Sequence, residues 1–331
     1  MTGLLPAAPP RLFHRTATTL GSAWVLGACI WRGARDAYPA ADPIALARRL
    51  RFGCQAWWHR HDWRLLREAP ASPALIDALQ GRRGLFHLVA WPYIHRAWPI
   101  GQRVDIAVAH YQFVDMWRWL QVPLRARCVL MTLGDPSCRR TLQIDRPEWL
   151  AQEGELVLGL FEGEVRLYSL AFSLGWRNGS PVAYVGAIQG RSDPAIAGLY
   201  PGTTKALHGC RPRDLMVLAL MFVAEALGMD TIYAVGEQHR RPHTRWWSGR
   251  ADHGPSTHYD EIWTERGGVP TPDGFYALDT RFTERPAADI AANKRAMYRR
   301  RYALLGAMRD SIRRLASDNR VPPVLLYTAA Q

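Results

Sequence analysis

Apolar positions in the N-terminal part of the chain recur at intervals of three or four residues, with prolines between the repeats. This spacing is typical of short helices that bury one face. Examples between Asp42 and Leu133 are Ile44, Leu46 and Leu50, then Leu75, Ile76 and Leu79. We predict a helical region here, in which the tryptophans between Trp57 and Trp119 serve core and interface packing rather than a base-stacking platform.

The period changes after residue 150. Three runs rich in β-forming residues, Glu155 to Phe161, Val165 to Leu174 and Val182 to Gln189, are joined by short polar connections. Such runs predict an antiparallel meander. Because the middle run is apolar on both faces, we expect it to be covered on both sides.

A very apolar helix and another strand follow the meander. Pro212 suits a first helical turn, Asp214 complements the positive end of the helix dipole, and Gly228 favours a stop. The interior is apolar all round, which is typical of a buried helix. Thr231 to Val235 then predicts a strand parallel to Val182 to Gln189, because a helical crossover joins parallel neighbours.

The rest of the pattern completes a predicted α+β fold. A loop rich in charged and aromatic residues is expected from Gly236 to Asp279, and a long helix from about Ala287 to Leu315. A helical half, residues 1–150, would pack on a mixed, mainly antiparallel sheet in residues 151–331. The two parts could be separate domains or one integrated domain.

Charge adds a preference for anionic partners. Lys and Arg outnumber Asp and Glu by 42 to 29, so nucleic acid, acidic lipid headgroups and phosphorylated small molecules are all candidates. The segment from Arg281 to Arg314 contains ten basic residues and only three acidic ones. This basic helix is ordinarily a solvated face; its functional alternatives are binding to an anionic membrane surface or to an RNA backbone such as that of a tRNA.

The cysteines and one N-terminal segment bear on the cellular compartment of the protein. The five cysteines are odd in number and scattered, which fits a reducing compartment. Ala17 to Trp31 could be read as a signal or anchor, but it is shorter than the roughly 20 apolar residues of a membrane span. We expect an ordinary helix there and a cytoplasmic protein, with peripheral attachment at the inner membrane as an alternative.

The order of three antiparallel strands, a crossover helix and a further strand resembles the core of GNAT acetyltransferases. In that family coenzyme A lies between two splayed parallel strands. The resemblance implies that backbone groups at the end of Val182 to Gln189 hold the pantetheine and that the helix N-terminus meets the pyrophosphate. The candidate donor-binding residues are Gln189, Gly190, Arg191, Lys205, His208, Gly209, Arg211 and Arg213.

One feature departs from the GNAT pattern. That family places its glycine-rich turn directly after the strand, whereas about twenty residues separate Gln189 from Arg211 here. A structural loop with solvated arginines is therefore the alternative to a phosphate site.

Glu237 stands where the last strand is expected to end, and it is our candidate catalytic base. A carboxylate in a cleft can activate an amine if burial raises its pKa. His239 and Tyr276 complete the catalytic candidates, with Tyr168 and Asp260 as further proton donors or orienting groups. The alternative is a surface glutamate paired with a nearby arginine.

Two other constellations are weaker. Cys210, two residues from His208, could be a nucleophile, but a small packing residue is the better interpretation. His239 and His243 have the spacing of metal ligands on a helix, yet Pro242 argues against a helix there. We predict no metal site.

Six segments carry a second resemblance. They are HYQFVDMW, LYSLAFSL, VGAIQG, TKALHGCRPRDLM, HYDEIW and KRAMYRRRY. Together they resemble the VirK/YbjX family of bacterial proteins over roughly Asp42 to Leu315. That family is a domain of unknown function whose members are linked to envelope remodelling, resistance to antimicrobial peptides and virulence, and it supplies no catalytic residues.

The leading hypothesis is an acyltransferase-like enzyme. It would move an acyl or aminoacyl group from an acyl-CoA or an aminoacyl-tRNA, a co-substrate rather than a tightly bound cofactor, to an amine or hydroxyl. The alternative is a non-enzymatic protein of VirK/YbjX type that acts in envelope remodelling through an anionic membrane or a protein partner. An RNA-binding regulator is less favoured because no nucleic-acid motif is present.

Overall fold

The computed structural model describes residues 27–28, 30–35, 38, 42–62, 72–81, 88, 91–134, 140–240, 258–322 and 324–326. Its helices are α1 (Pro43–Trp58), α2 (Pro73–Gly81), α3 (Ile100–Met116), α4 (Pro194–Ala197), α5 (Tyr200–Ala206), α6 (Pro212–Ala226), α7 (Tyr259–Glu265) and α8 (Arg295–Asp318). Its strands are β1 (Ala126–Thr132), β2 (Arg140–Asp145), β3 (Leu156–Glu162), β4 (Val165–Arg177), β5 (Ser180–Gly190), β6 (Thr231–Val235), β7 (Val269–Pro270), β8 (Phe275–Asp279) and β9 (Val324–Leu326).

The nine strands form one sheet in the order β7-β8-β6-β5-β4-β3-β2-β1-β9. Neighbouring strands are antiparallel except β5 and β6, where Val182–Val185 pair in parallel with Thr231–Ala234. Helix α6 makes the crossover that a parallel pair requires. The predicted α+β class, the meander β3-β4-β5, the crossover helix and the parallel strand are therefore confirmed.

Helix α6 is the centre of the core. Twelve of its fifteen residues are buried, because it packs on β3, β4 and β5 while α8 packs across it. Strand β4 also packs on α3, where the rings of Phe113 and Trp176 lie 5.1 Å apart. The middle of β4 is buried continuously, as its two apolar faces predicted.

Two strands lie in the part of the chain that was expected to be helical. β1 and β2 pair with each other, and β2 pairs with β3, so the sheet extends to both sides of the proposed boundary at residue 150. The alternation of polar and apolar residues that marks a strand is not visible in β1, because the charged Arg127 is buried. Its guanidinium lies 4.5 Å from the ring centre of Phe161. A short strand without visible alternation gives little periodic signal.

Three segments after β5 also differ from the prediction. The segment from Gly236 to Asp279 contains α7, β7 and β8 rather than only a loop, and α4 and α5 occupy the stretch between β5 and α6. Helix α8 begins at Arg295, after two short 3₁₀ turns, and ends at Asp318. Asn319 adopts a left-handed conformation (φ 47°) at that end, which is a common way to stop a helix.

The expected burial of the first stripe is wrong. Ile44, Leu46 and Leu50 are exposed, and Trp58 is 81% exposed. Helix α1 instead buries Ala45, Phe52 and Ala56, of which Phe52 and Ala56 form a small cluster with Ile30 and Ala34. In contrast, Trp98 and Trp119 are buried as expected.

The predicted helix at Ala17 to Trp31 lies largely outside the described residues; residues 27–28 and 30–35 are helical. Of the helices that the structure describes, none combines the length and the apolar character needed to cross a bilayer.

Candidate functional site

A cavity of about 1090 Å³ lies at the N-terminus of α6, between α5 and the start of α8. Four cations line it: Lys205, Arg211, Arg213 and Arg300. No carboxylate is among its lining residues in the described part of the chain. An N-terminal helix dipole and clustered cations both favour an anion. Five of the eight predicted donor-binding residues therefore line one cavity, together with Tyr168 and Tyr200.

A tight turn between α5 and α6 shapes this cavity. His208 and Gly209 both have positive φ, 53° and 77°, and the Gly209 N–H donates to the Thr204 carbonyl at 2.7 Å. A Cβ at Gly209 would lie 2.6 Å from the guanidinium of Arg301. Glycine is favoured here because its φ of 77° strains a residue that has a Cβ.

Arg211 and Arg213 are held by carboxylates. The Nε of Arg211 donates to Asp214 at 2.8 Å, and both arginines bond to Glu265, at 2.8 and 2.5 Å. Arg266 also pairs with Asp214 at 2.8 Å. Burial alone would raise the pKa of Asp214, but the hydrogen bond from Arg211 and the charge of Arg266 outweigh it and lower that pKa. These arginines are thus ion-paired rather than simply solvated.

Lys205 and Arg300 differ from those arginines. Neither has a carboxylate within ion-pair distance among the described residues. Their charges are therefore the ones most available to an anion in the cavity.

The end of β5 contacts the cavity through tyrosines. The N–H of Arg191 donates to the Tyr200 hydroxyl at 2.6 Å, and a Cβ at Gly190 would lie 2.6 Å from that same oxygen. Gln189, Gly190 and Arg191 are themselves not part of the lining. Gly190 and Arg191 contact Tyr200, and Gly190 also lies against Tyr168.

A second group of candidates lies at the end of β6. The carboxylate of Glu237 accepts from Arg240 at 2.9 Å and from the N–H of Tyr259 at 3.2 Å. The Glu237 N–H donates to Asp260 at 2.8 Å. Burial and the negative charge of Asp260 raise the pKa of Tyr276. Glu237 is paired with an arginine, as expected for the alternative of a surface glutamate. Its role as a base therefore stays a hypothesis.

His239 takes part in a ring stack that the sequence did not indicate. Its ring lies 4.5 Å from that of His95, which in turn lies 5.0 Å from Phe275. Burial and the nearby His239 lower the pKa of His95 to about 4. The N–H of Arg96 donates to the carbonyl of His239 at 3.0 Å. His239 therefore helps to join residues 93–96 to the sheet.

Helix α7 connects the two groups. Its first residues contact Glu237, and Glu265 at its last turn contacts Arg211 and Arg213. Seven helical residues span about 10 Å. The buried hydroxyl of Tyr259 also accepts from the N–H of Ile188 in β5 at 2.8 Å. That N–H belongs to the backbone expected to hold a pantetheine, and it is already bonded.

The weaker candidates have structural explanations. Burial raises the pKa of the Cys210 thiol to about 11, and the charge of Asp214 acts in the same direction, so the thiolate needed for attack is disfavoured. His243 lies outside the described residues. Within the residues that are described, no group of three or more His, Cys, Asp or Glu could hold a metal ion.

The basic helix α8 uses several cations for internal contacts. Arg309 and Arg313 pair with Glu225 of α6, and the Nε of Arg301 donates to the carbonyl of His208 at 3.0 Å. Arg299 and Arg314 are exposed. Part of the charge surplus therefore fixes α8 to the core.

Comparison with known sequences identifies the family. A family model described as a protein of unknown function, DUF535, matches residues 43–314, which is most of the chain. This chain belongs to the DUF535 family. The predicted resemblance to the VirK/YbjX family is confirmed, because the relatives of this DUF535 chain include YbjX of Escherichia coli K12, 29% identical over 176 residues.

Two Haemophilus influenzae proteins are also relatives. One is 32% identical over 40% of this DUF535 chain and 43% of its own length; the other is 22% identical over 83% and 91%. The YbjX alignment covers 52% of each chain. The chain thus spans about half the length of YbjX and of the first Haemophilus relative.

The similarity of this chain to solved structures is weak. A cAMP-binding acyltransferase from Mycobacterium smegmatis aligns with 67% of this DUF535 chain and 63% of its own, at 11% identity and a TM-score of 0.27. A mutant of the same protein aligns with a TM-score of 0.28. Similarity at this level carries no argument about function.

Proposed function

We propose that this DUF535 chain is an acyltransferase-like enzyme that binds a phosphate-bearing acyl donor in the cavity at the N-terminus of α6. The observation that supports the proposal is the cavity lining, in which Lys205 and Arg300 stand beside a helix N-terminus without carboxylate partners among the described residues. An acyl-CoA or an aminoacyl-tRNA supplies the phosphate that such a lining favours.

The donor lies in the cavity beside Tyr168 rather than between β5 and β6. The Ile188 N–H in that gap is already bonded to Tyr259. From the cavity the donor extends along α7, about 10 Å, so that its acyl carbon reaches Glu237. This path departs from the GNAT arrangement, and it gives the ion-paired Arg211 and Arg213 the role of fixing α7.

The chemistry follows from the residues at the end of β6. The nitrogen of an acceptor amine attacks the acyl carbon, and Glu237 takes the proton that the nitrogen loses, directly or through water. The bond from that carbon to the donor sulfur or oxygen breaks. Tyr276, which like any tyrosine is protonated at neutral pH, gives a proton to the leaving atom. A hydroxyl acceptor would react in the same way.

Calorimetry with an acyl-CoA tests the donor site. Replacing Arg300 or Lys205 by Ala should weaken binding about tenfold, the typical cost of a lost hydrogen bond to a charged group. Arg299→Ala is the matched control, because Arg299 is an exposed neighbour on α8 that does not line the cavity. If neither an acyl-CoA nor an aminoacyl-tRNA binds, the proposal is wrong.

Measuring turnover tests the role of Glu237 as the catalytic base. Glu237→Gln should lower kcat by about 10²-fold or more, while Arg240→Gln, which removes the ion-pair partner of Glu237 and the guanidinium over the Tyr259 ring, should retain most activity. Full turnover by Glu237→Gln would exclude the base role.

The non-enzymatic alternative, docking of a cytoplasmic or peripheral protein on an anionic membrane through α8, has less support. Only the exposed arginines such as Arg299 and Arg314 remain for it, because Arg301, Arg309 and Arg313 bind the core. It predicts vesicle association that salt weakens and that Arg299→Gln with Arg314→Gln abolishes.

A further inference from the structure

The cavity at the N-terminus of α6 has walls that are mainly apolar. Two of its lining residues, Tyr168 and Tyr200, lie edge to face with their ring centres 6.1 Å apart. The other apolar lining residues are Pro201, Pro212, Ala296 and Met297. A bare phosphate is bound through charge and hydrogen bonds and needs no such walls. The walls therefore suit a ligand that carries an apolar group beside its phosphate.

Three polar side-chain groups in the same lining are available to a ligand. They are the Tyr168 hydroxyl, the His208 imidazole and the Asn293 amide, and none of the three forms a hydrogen bond within the described ranges of the chain. An acyl chain would leave these groups without partners, which disfavours it as the occupant. A nucleobase instead offers a flat face to apolar walls, and donors and acceptors along its edge.

The start of α8 brings an amide, an apolar side chain and a cation to one side of the cavity. Asn293, Met297 and Arg300 follow one another at intervals of four and three residues, and all three line the cavity. Lys205, in the last turn of α5, adds a second cation. A nucleoside phosphate carries the matching groups: the edge of a base, the face of a base and a phosphate.

We propose that the cavity recognises an adenosine phosphate. The base packs on Tyr168 and Met297, and its edge pairs with Asn293. The phosphate pairs with Lys205 and Arg300. Adenine is selected because the asparagine amide, which has one donor and one acceptor, pairs with the adjacent N7 acceptor and N6 donor of adenine, whereas guanine presents two acceptors there.

This inference rests on the donor site proposed above and identifies what the donor carries beside its phosphate. Both candidate donors contain adenosine. In an acyl-CoA it adjoins the diphosphate, and in an aminoacyl-tRNA it is the terminal nucleoside. The pantetheine arm of coenzyme A separates the adenosine from the acyl carbon and can follow α7 toward Glu237, whereas the ester of an aminoacyl-tRNA is attached to the ribose itself.

Calorimetry with three small probes tests recognition of the base. ADP should bind at least about tenfold more tightly than inorganic pyrophosphate, because a packed base adds contacts that a bare diphosphate lacks. ADP should also bind about tenfold more tightly than GDP, which differs from it at the edge of the base. Equal affinities for ADP and pyrophosphate would overturn the proposal and leave only a phosphate site.

A variant of Asn293 tests how the edge of the base is read. Asn293→Leu should remove the preference for ADP over GDP and leave the affinity for pyrophosphate unchanged. Because Asn293 is exposed, the variant should keep its fold, which circular dichroism checks. Ser317→Ala is the matched control, since Ser317 is an exposed polar residue of α8 that does not line the cavity. A preference for ADP that survives Asn293→Leu would exclude the role of Asn293.

Competition against bound ADP identifies the source of the adenosine. Coenzyme A should displace ADP; displacement by a tRNA that ends in adenosine, but not by coenzyme A, would assign the site to an aminoacyl-tRNA. If neither displaces ADP, the adenosine does not belong to an acyl donor and the inference is wrong. Acyl transfer with equal affinities for ADP, GDP and pyrophosphate would contradict adenosine recognition alone. Selective ADP binding without acyl transfer would contradict the acyltransferase proposal alone.

Discussion

Helices α1 and α6 have similar lengths, yet they have opposite environments. α6 buries twelve of fifteen residues and α1 buries three of sixteen. α6 is the crossover between two parallel strands, so sheet and α8 cover it. α1 touches a small separate cluster and leaves leucines and tryptophans in solvent. An apolar period shows that a helix has an apolar face, but not what that face contacts.

The largest expected difference between the two helices is in stability. Phe222→Ala in α6 should reduce the free energy of unfolding by about 3 to 5 kcal/mol, because Phe222 is 1% exposed and its cavity would remain. Trp57→Ala in α1 should change it by less than about 0.5 kcal/mol. Urea unfolding measures both, and equal losses would contradict the contrast.

A pH effect tests how the N-terminal part is joined to the sheet. His95 has a pKa near 4 in the folded protein and about 6.5 when unfolded. The unfolded state therefore binds the extra proton, and stability present above about pH 6.5 is lost as the pH falls toward 4, on the order of 2 kcal/mol. His239 and Arg96 oppose protonation, whereas Asp273 favours it.

Urea midpoints at pH 7 and pH 5 measure this effect. His95→Phe keeps a ring beside His239 and Phe275 and should flatten the dependence between these values. An unchanged slope would assign the pH dependence to other groups.

A smaller effect is expected at the start of α1. Asp42→Ala removes the cap on the Ala45 N–H and should cost about 1 kcal/mol. Because α1 is peripheral, the loss should appear as faster hydrogen exchange within α1, with exchange in α6 unaltered. Faster exchange in both helices would show that they unfold together.

The smallest expected effect belongs to the exposed Leu50 of α1. Leu50→Gln alone should alter the free energy of unfolding by less than about 0.5 kcal/mol, since Leu50 is 54% exposed. A loss comparable to that of Phe222→Ala would mean that the side chain is covered in solution.

The sequence predicted the centre of the fold well. Periods and end signals agree along β3, β4, β5 and α6, and the crossover rule then fixes β6 as parallel. β1 and β2 were missed because buried charged residues such as Arg127 interrupt their apolar pattern. The burial of Ile44 and Leu50 was predicted wrongly, because the period of a helix does not report its surroundings.

The candidate site was predicted in part. Lys205, His208 and Gly209 are close in sequence to the start of α6, so their convergence follows from local structure. The pairing of Arg211 with Glu265, 54 residues away, depends on tertiary packing. His95 carries no motif at all, and only the stack with His239 and Phe275 reveals it.

The bond between Ile188 and Tyr259 makes one backbone amide a reporter of α7. Beyond Val185, β5 has no paired residue in β6, and the Ile188 N–H is shielded by a side chain instead. Its deuterium uptake will follow the departure of Tyr259 rather than the opening of the sheet. Comparing the deuterium uptake of the Ile188 amide in the native protein and in Tyr259→Phe, with and without an acyl donor, would therefore record movement of α7.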